Sequence, residues 1–348
     1  MKKLLSVLKY VLLLGISVFL MWYALKELDF QRMWAELRNA NYFWVGVSLV
    51  MGVVAYISRA FRWHMQIKPT GYDPSILNTY RAMMVGYLAN LVLPRMGEVV
   101  RCSMLKRTDG VPVNTGFGTV IAERFIDMLM LLLAIGVAFL VEFERIQGFF
   151  LDLLSDKFTN LEQVLASLYW VLWVFLGATV VIIFVILRYL SRLRKSSYFS
   201  KAVEFFKGML KGVFSITKLE NQAVFWGHTL FVWLMYYCMS VVVFFALPAT
   251  SDLGWGAGLS ILVIGTLGMA APVQGGVGVY HLLVQATLLL YGVPKEEGMA
   301  YALLVHTSQT LLVVLMGVVS FVASMVHRRR TVNQRAAEVN TSTHELKR

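Results

Sequence analysis

One stretch of this sequence decides the fold: Asn90 to Arg107 reads NLVLPRMGEVVRCSMLKR. It begins as the end of an apolar run, breaks at Pro94, and then places Arg95, Glu98 and Arg101 among valine, methionine and leucine. Two interpretations compete. Either a complete transmembrane helix ends here in a basic loop, or a helix turns back inside the membrane and carries charge with it. The composition and the charges of the other loops distinguish the two.

The composition is that of a multi-pass membrane protein. Of 348 residues, 58% are hydrophobic and 15% are charged, whereas a soluble domain is about half apolar and about a quarter charged. Apolar runs of membrane length recur from end to end, and the longest polar interval, 188–222, is too short to form its own core. The first run follows a basic start, as in a signal peptide. Trp22 and Tyr23 stand where a cleavage site would need small residues, so we interpret it as an uncleaved span.

The composition also argues against several classes of function. The net charge of +12 is concentrated in a few loops, which is the pattern of a membrane protein and not of a nucleic-acid-binding one. Cys102 and Cys238 lie far apart in apolar surroundings, and the six histidines show no metal-ligand spacing. We therefore expect neither a metal nor a cofactor, and we assign no catalytic residue. The sequence has no Walker loop, so we do not expect it to hydrolyse ATP.

The charges of the loops between the apolar runs indicate the topology. The N-terminus, 59–75, 188–224 and the C-terminal tail are basic, whereas 142–162 is acidic. With the N-terminus in the cytoplasm, a complete crossing by 76–93 puts every later loop on the wrong side under the positive-inside rule. If 76–93 instead enters the membrane and returns, every later loop obeys the rule, and both termini lie in the cytoplasm.

The sequence therefore predicts a re-entrant hairpin over 76–107. Pro94 marks its tip, because proline lacks an N–H group and disfavours a helical conformation in the residue before it. A similar break lies in AAPVQGGVGVY, residues 270–280, between two apolar arms that are each short for a crossing of about 20 residues. Both breaks read P-x-x-G-[E/G]-V, and the second hairpin, 257–292, enters from the outside.

Opposed broken helices of this kind are typical of inverted repeats in transporters. We expect an all-α membrane protein with about six full transmembrane helices and two opposed re-entrant hairpins. A transmembrane domain over 1–327 is followed by a basic cytoplasmic tail, 328–348, whose polar sequence predicts disorder. Within 191–222, apolar residues follow helical spacing beside lysines, so we expect an amphipathic helix on an anionic inner leaflet.

The two breaks are the candidate binding site, because unwound backbone at membrane depth is tolerated only inside protein or beside a wet cavity. The N-terminus of each returning arm points inward and attracts anions. Forked arginine donors suit phosphate, and glycines let backbone N–H groups approach a ligand closely. The predicted substrate-binding residues are Arg95, Gly97, Glu98, Arg101, Gln274, Gly275, Gly276, Gly278 and His281. The alternative is that the arginines only reach the lipid headgroup surface and Glu98 pairs with one of them.

A second group of charges forms a predicted supporting network. Glu123 and Asp127 stand four residues apart, on one helix face, with Arg124 beside them. Arg59 and Arg62 stand three apart at the cytoplasmic end of the second run. Either the acids face the bundle and neutralise Arg59, Arg62, Arg95 or Arg101, or these are solvated interfacial charges and headgroup anchors. Polar residues within other spans, such as His306 and Thr310, bridge helices or line a path.

Four motifs in this order resemble one known family. They are RAFRW at 59–63, NLVLPRMGEVVR at 90–101, ERFID at 123–127 and APVQGGVG at 271–278. They are similar to the lysylphosphatidylglycerol synthase transmembrane-region family, also called the flippase-like domain family, over residues 5–326. One departure is that Tyr280-His281 follows the second break, where the family often has an acidic residue.

The resemblance implies a lipid flippase of the cytoplasmic membrane, without the cytosolic aminoacyl-transferase domain of the bifunctional members. The implied partners are membrane lipids, either an anionic phospholipid or a polyprenyl-linked lipid, and not nucleic acid. Two alternatives stay open: a membrane-embedded transferase, and a non-catalytic partner of a separately encoded enzyme. The sequence also leaves open whether the protein forms a homo-oligomer, which lipid it moves, and in which direction.

Overall fold

The structure, a computed structural model, describes residues 2–143 and 197–345, and it describes side chains over 14–143 and 203–326. Within these residues every regular element is helical. The predicted span at 166–187 and nearly all of the acidic loop 142–162 lie outside the described residues.

Eleven helices, here numbered in chain order, are described. They are α1 Lys2–Leu25, α2 Phe30–Asn39, α3 Tyr42–Ile67, α4 Ile76–Val92, α5 Gly97–Asp109, α6 Val113–Val141, α7 Ser197–Val213, α8 Gln222–Phe244, α9 Trp255–Ala270, α10 Val279–Leu290 and α11 Lys295–Glu345. Short 3-10 turns lie at Lys68–Thr70, Phe214–Lys218, Pro248–Thr250 and Gln274–Gly276.

Four of the described helical segments are long and apolar enough to cross a membrane: Tyr42–Thr70, Val113–Val141, Gln222–Phe244 and Lys295–Val326. The described part of α1 and helix α9 are apolar but shorter. The expected all-α membrane fold is confirmed at this level.

Short polar side chains start several of these helices. Asp29, Asn41, Ser75 and Asn221 each accept a hydrogen bond from a backbone N–H group in the first turn that follows. Such caps satisfy donors that a helix start leaves unpaired. After α5, Gly110 takes a left-handed conformation with φ 73°, a common way for a helix to end. These four helix starts and the end of α5 therefore follow from local sequence.

The predicted boundaries differ from the structure at two places. Helix α3 continues to Ile67 through residues that the charge pattern predicted as a loop, so Arg59 and Arg62 are helical and buried. Helix α11 continues to Glu345 through the predicted disordered tail. The tail contains the good helix formers Ala336, Ala337 and Glu338, and a polar composition does not by itself oppose a helix.

At the first break the two arms lie side by side. Helix α4 ends at Val92 and α5 begins at Gly97. The Gly97 N–H group donates to Asn90 Oδ1 over 2.7 Å. A side chain on Gly97 would overlap the Gly86 carbonyl oxygen and the Asn90 amide, and one on Gly86 would meet Arg101. Glycine at 86 and 97 therefore lets α5 pack directly on α4.

At the second break no α-helix is present over residues 271–278, where the chain forms bends and the 3-10 turn at Gln274–Gly276. Gly275, Gly276 and Gly278 all have positive φ, of 57°, 75° and 85°, which favours glycine. Helix α10 then packs closely on α9, because Gly268 leaves room for the backbone of Tyr280. Gly278 lies against the backbone of α1 near Met21. The three glycines thus serve the turn and its packing.

A third close approach joins α6 to the end of α7. A side chain on Gly118 would overlap the backbone of Met209 and Gly212, and one on Gly212 would overlap the backbone of Thr115 and Thr119. The two helices therefore cross with their backbones in contact.

Substitution of Gly97 tests the packing of the first break. We expect Gly97→Ala to lower the free energy of unfolding by about 1–3 kcal/mol, because the added methyl group has no room between two backbones. Gly46→Ala is the matched control, since a side chain at Gly46 meets nothing within 4 Å. Denaturant unfolding of the purified protein in detergent measures both. Equal stability of the two variants would contradict the close packing.

Candidate functional site

A buried cluster of charges joins α3, α5 and α6, and Glu123 lies at its centre. The Glu123 side chain is fully buried on α6. Its carboxylate lies 2.5 Å from Arg59 Nη2, 3.2 Å from Arg62 Nη2 and 2.9 Å from Arg101 Nη2. Arg62 and Arg101 are 0% and 2% exposed. A carboxylate and guanidinium groups are tolerated in such surroundings only when they are paired.

Asp127 is the second acid of the cluster, one helical turn after Glu123. Its oxygens lie 2.8 Å from Arg62 Nη2 and 3.4 Å from Arg59 Nη2. Glu123 and Asp127 are four residues apart on α6, and Arg59 and Arg62 are three residues apart on α3. The two pairs face each other, so each arginine of α3 contacts both acids. Arg59 and Arg62 are therefore paired with acids inside the bundle and are not exposed at its surface.

Aromatic side chains enclose the cluster. The Arg101 guanidinium lies 4.6 Å from the centre of the Trp63 ring, and that of Arg59 lies 5.5 Å from the Tyr87 ring. Arg59 Nη1 also donates to the Tyr236 hydroxyl over 2.9 Å. Such contacts between cations and ring faces are favourable, more so away from water. The arginines are thereby shielded from water.

A more exposed pair lies beside the cluster. Arg124 Nη2 lies 2.9 Å from Glu98 Oε1, and their side chains are 46% and 21% exposed. Because Glu98 and Arg101 both belong to α5, the returning arm of the first break is joined to α6 by two ion pairs.

Arg95 differs: it is exposed at the tip, has φ 65°, and forms no ion pair with any described residue. A positive φ is uncommon for arginine and marks a strained position.

At the second break the chain holds two histidines in contact. Their ring centres are 4.7 Å apart, and both His281 and His306 are buried. His306 Nε2 lies 2.7 Å from the Gly275 carbonyl oxygen and so forms a hydrogen bond that fixes the turn. The Gly278 N–H group points towards His281 Nδ1 over 3.4 Å. His281 therefore lies behind the turn, packed against Tyr280 and His306.

A cavity lies where the two breaks meet. It has a volume of about 520 Å³ and is lined by Leu14, Ser17, Val18, Met21, Trp22, Leu91, Gln274, Gly275, Val277, His306 and Thr310. Leu91 comes from the end of α4, and its Cδ2 lies 3.0 Å from the position that a side chain on Gly275 would take. The wall is mainly apolar, and its polar side chains are those of Ser17 on α1, Gln274 at the second break, and His306 and Thr310 on α11. Such a space suits a hydrocarbon chain better than a charged headgroup.

Comparison with known proteins identifies the family. The sequence matches the model of the lysylphosphatidylglycerol synthase TM region over residues 10–317. The chain belongs to this family. The resemblance that the four sequence motifs indicate is therefore confirmed, and so is the assignment as a multi-pass membrane protein.

Two curated relatives share part of this family sequence. The UPF0104 membrane protein MJ1595 of Methanocaldococcus jannaschii is 26% identical over 154 residues, which are 43% of this chain and 41% of that protein. Glycosyltransferase AglD of Haloferax volcanii is 26% identical over 334 residues, which are 87% of this chain and 52% of that protein. The chain spans about half the length of the curated relatives it matches. No solved structure matches it.

The structure sorts the predicted site residues of this family member into groups. Arg59, Arg62, Glu98, Arg101, Glu123, Arg124 and Asp127 come together at α3, α5 and α6. Gln274 and Gly275 line the cavity, while Gly276, Gly278, His281 and Gly97 serve packing and turns. Arg95 lies outside both groups. The enclosing residues Trp63, Tyr87 and Tyr236 are not among the predicted site residues. Trp63 ends the motif RAFRW, whereas nothing in the sequence separates Tyr87 and Tyr236 from other aromatic residues of apolar runs.

Glu123 and Glu98 allow a comparison of buried and exposed ion pairs. We expect Glu123→Gln to lower the free energy of unfolding by about 3–5 kcal/mol, because it leaves buried arginines without their carboxylate. Glu98→Gln removes only the more exposed pair and is expected to cost about 0–1 kcal/mol. Both are measured by unfolding in detergent. Equal losses would mean that Glu123 does not hold the cluster together.

Proposed function

We propose that this protein is a lipid flippase of the cytoplasmic membrane, which moves an anionic phospholipid or a polyprenyl-linked lipid between leaflets. One observation carries the proposal: the buried arginine Arg101 lies on the arm that returns from a break in an apolar helix. Charged groups at such positions are costly and mark the paths of substrates. Membership of the family supports the same conclusion.

The proposed topology has six full spans, two opposed re-entrant hairpins related as an inverted repeat, and both termini in the cytoplasm. The transmembrane domain covers 1–327, and the tail covers 328–348. Two features support the hairpins: the unwound residues between α4 and α5 and between α9 and α10, and the contact between Leu91 and Gly275. Breaks that enter from opposite sides and meet at mid-depth are the arrangement expected of an alternating-access transporter.

In this proposal the headgroup and the hydrocarbon use different parts of the site. Arg95, exposed at the tip of the first hairpin, makes the first contact with the headgroup phosphate, and Arg101 is the binding partner deeper in the bundle. Gln274 and Gly275 border the cavity beside the second break, which takes part of the hydrocarbon chain. The substrate therefore keeps its charge near arginine and its tail among aliphatic side chains.

A membrane-embedded transferase is the second candidate function. One observation favours it: the relative named glycosyltransferase AglD matches 87% of this chain. Against it, Glu123 and Asp127 are both held by arginines, so neither carboxylate is free to contact a substrate. A product found by mass spectrometry after incubation with lipid-linked sugar donors would favour the transferase. Co-purification of a soluble enzyme, with no transport by the chain alone, would instead favour a non-catalytic partner.

Headgroup accessibility in proteoliposomes tests the flippase directly. We expect the wild type to accelerate the movement of at least one anionic lipid class over empty vesicles. Arg95→Asn is expected to slow it by about tenfold, the effect of losing one charge-assisted hydrogen bond. Asparagine tolerates the positive φ at this position, so the variant keeps the turn.

Arg107→Asn is the matched control for that experiment, because Arg107 is exposed in the last turn of α5. It is expected to keep the rate within about twofold, since a single exposed charge contributes little. If no lipid class moved faster than in empty vesicles under any ion gradient, the flippase proposal would be wrong.

Cysteine labelling tests the proposed topology. Cys102 is buried and Cys238 is partly buried, so both are first replaced by alanine. Thr108→Cys and Lys295→Cys then place exposed thiols after the first and second hairpins. We expect an impermeant thiol reagent outside intact cells to label Lys295→Cys only. Labelling of Thr108→Cys from outside would mean that the first apolar arm crosses the membrane completely.

A further inference from the structure

The buried cluster at α3, α5 and α6 is one negative charge short. Three guanidinium groups, those of Arg59, Arg62 and Arg101, face two carboxylates, those of Glu123 and Asp127. The adjacent pair of Arg124 with Glu98 is balanced and leaves the excess unchanged. Tyr87 and Tyr236 also border the described cluster, and a tyrosine side chain supplies no formal charge to this count. An uncompensated charge away from water is unfavourable, so this arrangement calls for one more anion.

The same arginines have hydrogen-bond donors that nothing in the described residues accepts. Arg101 is 2% exposed, and its Nε and Nη1 have no acceptor. Its Nη2 lies 2.9 Å from Glu123 Oε2, yet without the geometry of a hydrogen bond. Arg62 is fully buried, and its Nε and Nη1 also have no acceptor. Buried donors of this kind are costly when unpaired, and the guanidinium fork suits an oxyanion.

From the charge and the donors together, we propose that this cluster binds one singly charged oxyanion, the phosphodiester of a lipid headgroup. It selects against phosphomonoesters and diphosphates. A phosphodiester carries one negative charge and neutralises the cluster. A phosphomonoester carries about −1.5 to −2 at pH 7 and would leave excess negative charge beside Glu123 and Asp127. The inference rests on the proposed function, because it names the substrate class of that same site.

The position of Arg101 connects this anion site to the cavity. The Cβ of Arg101 lies beside Gly86 of α4, while its guanidinium lies at Trp63 and Glu123. Leu91, five residues after Gly86 on α4, lines the cavity. Five residues of helix rise by about 7.5 Å. One lipid can therefore place its phosphate near Arg101 and the start of its hydrocarbon chain near Leu91. A free phosphate ion would use the first position only.

Two short-chain lipids that differ by one methyl group test the inference. They are dihexanoyl phosphatidylmethanol, a diester, and dihexanoyl phosphatidic acid, a monoester. Thermal stabilisation of the purified full chain in neutral detergent gives the affinity for each. At about pH 8 we expect the diester to bind about tenfold more tightly, because one unmatched charge separates the two ligands. Equal or tighter binding of the monoester would overturn the inference.

A pH series on the wild type gives an independent test. The second pKa of a phosphomonoester is about 6, so at about pH 5.5 phosphatidic acid carries close to one charge. We expect the two affinities to converge there and to separate as the pH rises. The diester does not titrate over this range. Any change of its affinity with pH therefore comes from the protein's own groups, including His228, which is hydrogen-bonded to Ser58. A ratio that does not change with pH would overturn the inference.

Small anions distinguish a lipid from a free ion. Dimethyl phosphate has the charge of the diester without its hydrocarbon, and inorganic phosphate has neither the ester nor the hydrocarbon. We expect both to bind at least about tenfold more weakly than phosphatidylmethanol, because they leave the apolar cavity empty. Equal binding of dimethyl phosphate would overturn the assignment to a lipid.

A charge variant tests the cluster itself. Asp127 is the more exposed of the two acids, with 20% of its side chain accessible. Asp127→Asn adds one positive charge to the cluster, so we expect the preference to shift towards the monoester by about tenfold. Asp252→Asn makes the same change at an exposed position in another loop and is expected to leave the preference as in the wild type. Identical preferences in the two variants would overturn the inference.

The binding measurements and the transport measurements test the two proposals independently. If the wild type prefers the diester but moves no lipid, the flippase proposal is wrong and the inferred anion site stands. If lipid moves and the diester has no advantage, the flippase proposal stands and the inference is wrong.

Discussion

Three guanidinium groups share one buried carboxylate, that of Glu123, and the arrangement of α3, α5 and α6 depends on it. Charges in apolar surroundings are stable only when partners lie within contact distance. Helix α5 cannot slide along α6 without separating Arg101 from Glu123 and Arg124 from Glu98. The returning arm of the first break is therefore fixed by electrostatics, while its contact with α4 is fixed by glycine packing.

The second break is held by different forces. It has no charged residue, and its turn is fixed by positive-φ glycines, by the packing of Tyr280 on Gly268, and by the hydrogen bond from His306 to Gly275. The two breaks share a short sequence pattern, yet only the first contains charged residues. In the proposed flippase, this asymmetry would suit a substrate with one charged end and one apolar end, because each break would present the chemistry that one end requires.

Local signals in the sequence predicted the breaks well, and long-range pairings could not be predicted. Proline, closely spaced glycines and charges inside apolar runs are visible without any partner, so Pro94, Gly275 and Glu123 stand out. The partners of Glu123 are not visible, because Arg59 and Arg62 lie 64 and 61 residues away in the chain. The segment 59–75 is predicted as a basic loop for the same reason: the burial of Arg59 and Arg62 in α3 depends on acids of a distant helix.

The crossing of α6 and α7 at Gly118 and Gly212 limits which substitutions this part of the chain can accept. A methyl group at either position meets backbone atoms of the other helix, and backbone cannot rotate aside as a side chain can. Replacement of one glycine is therefore not compensated by a smaller neighbour, because none is smaller than glycine. The crossing therefore needs glycine at both positions, and a larger residue at either one would hold this part of α7 at a greater distance from the helix that carries Glu123.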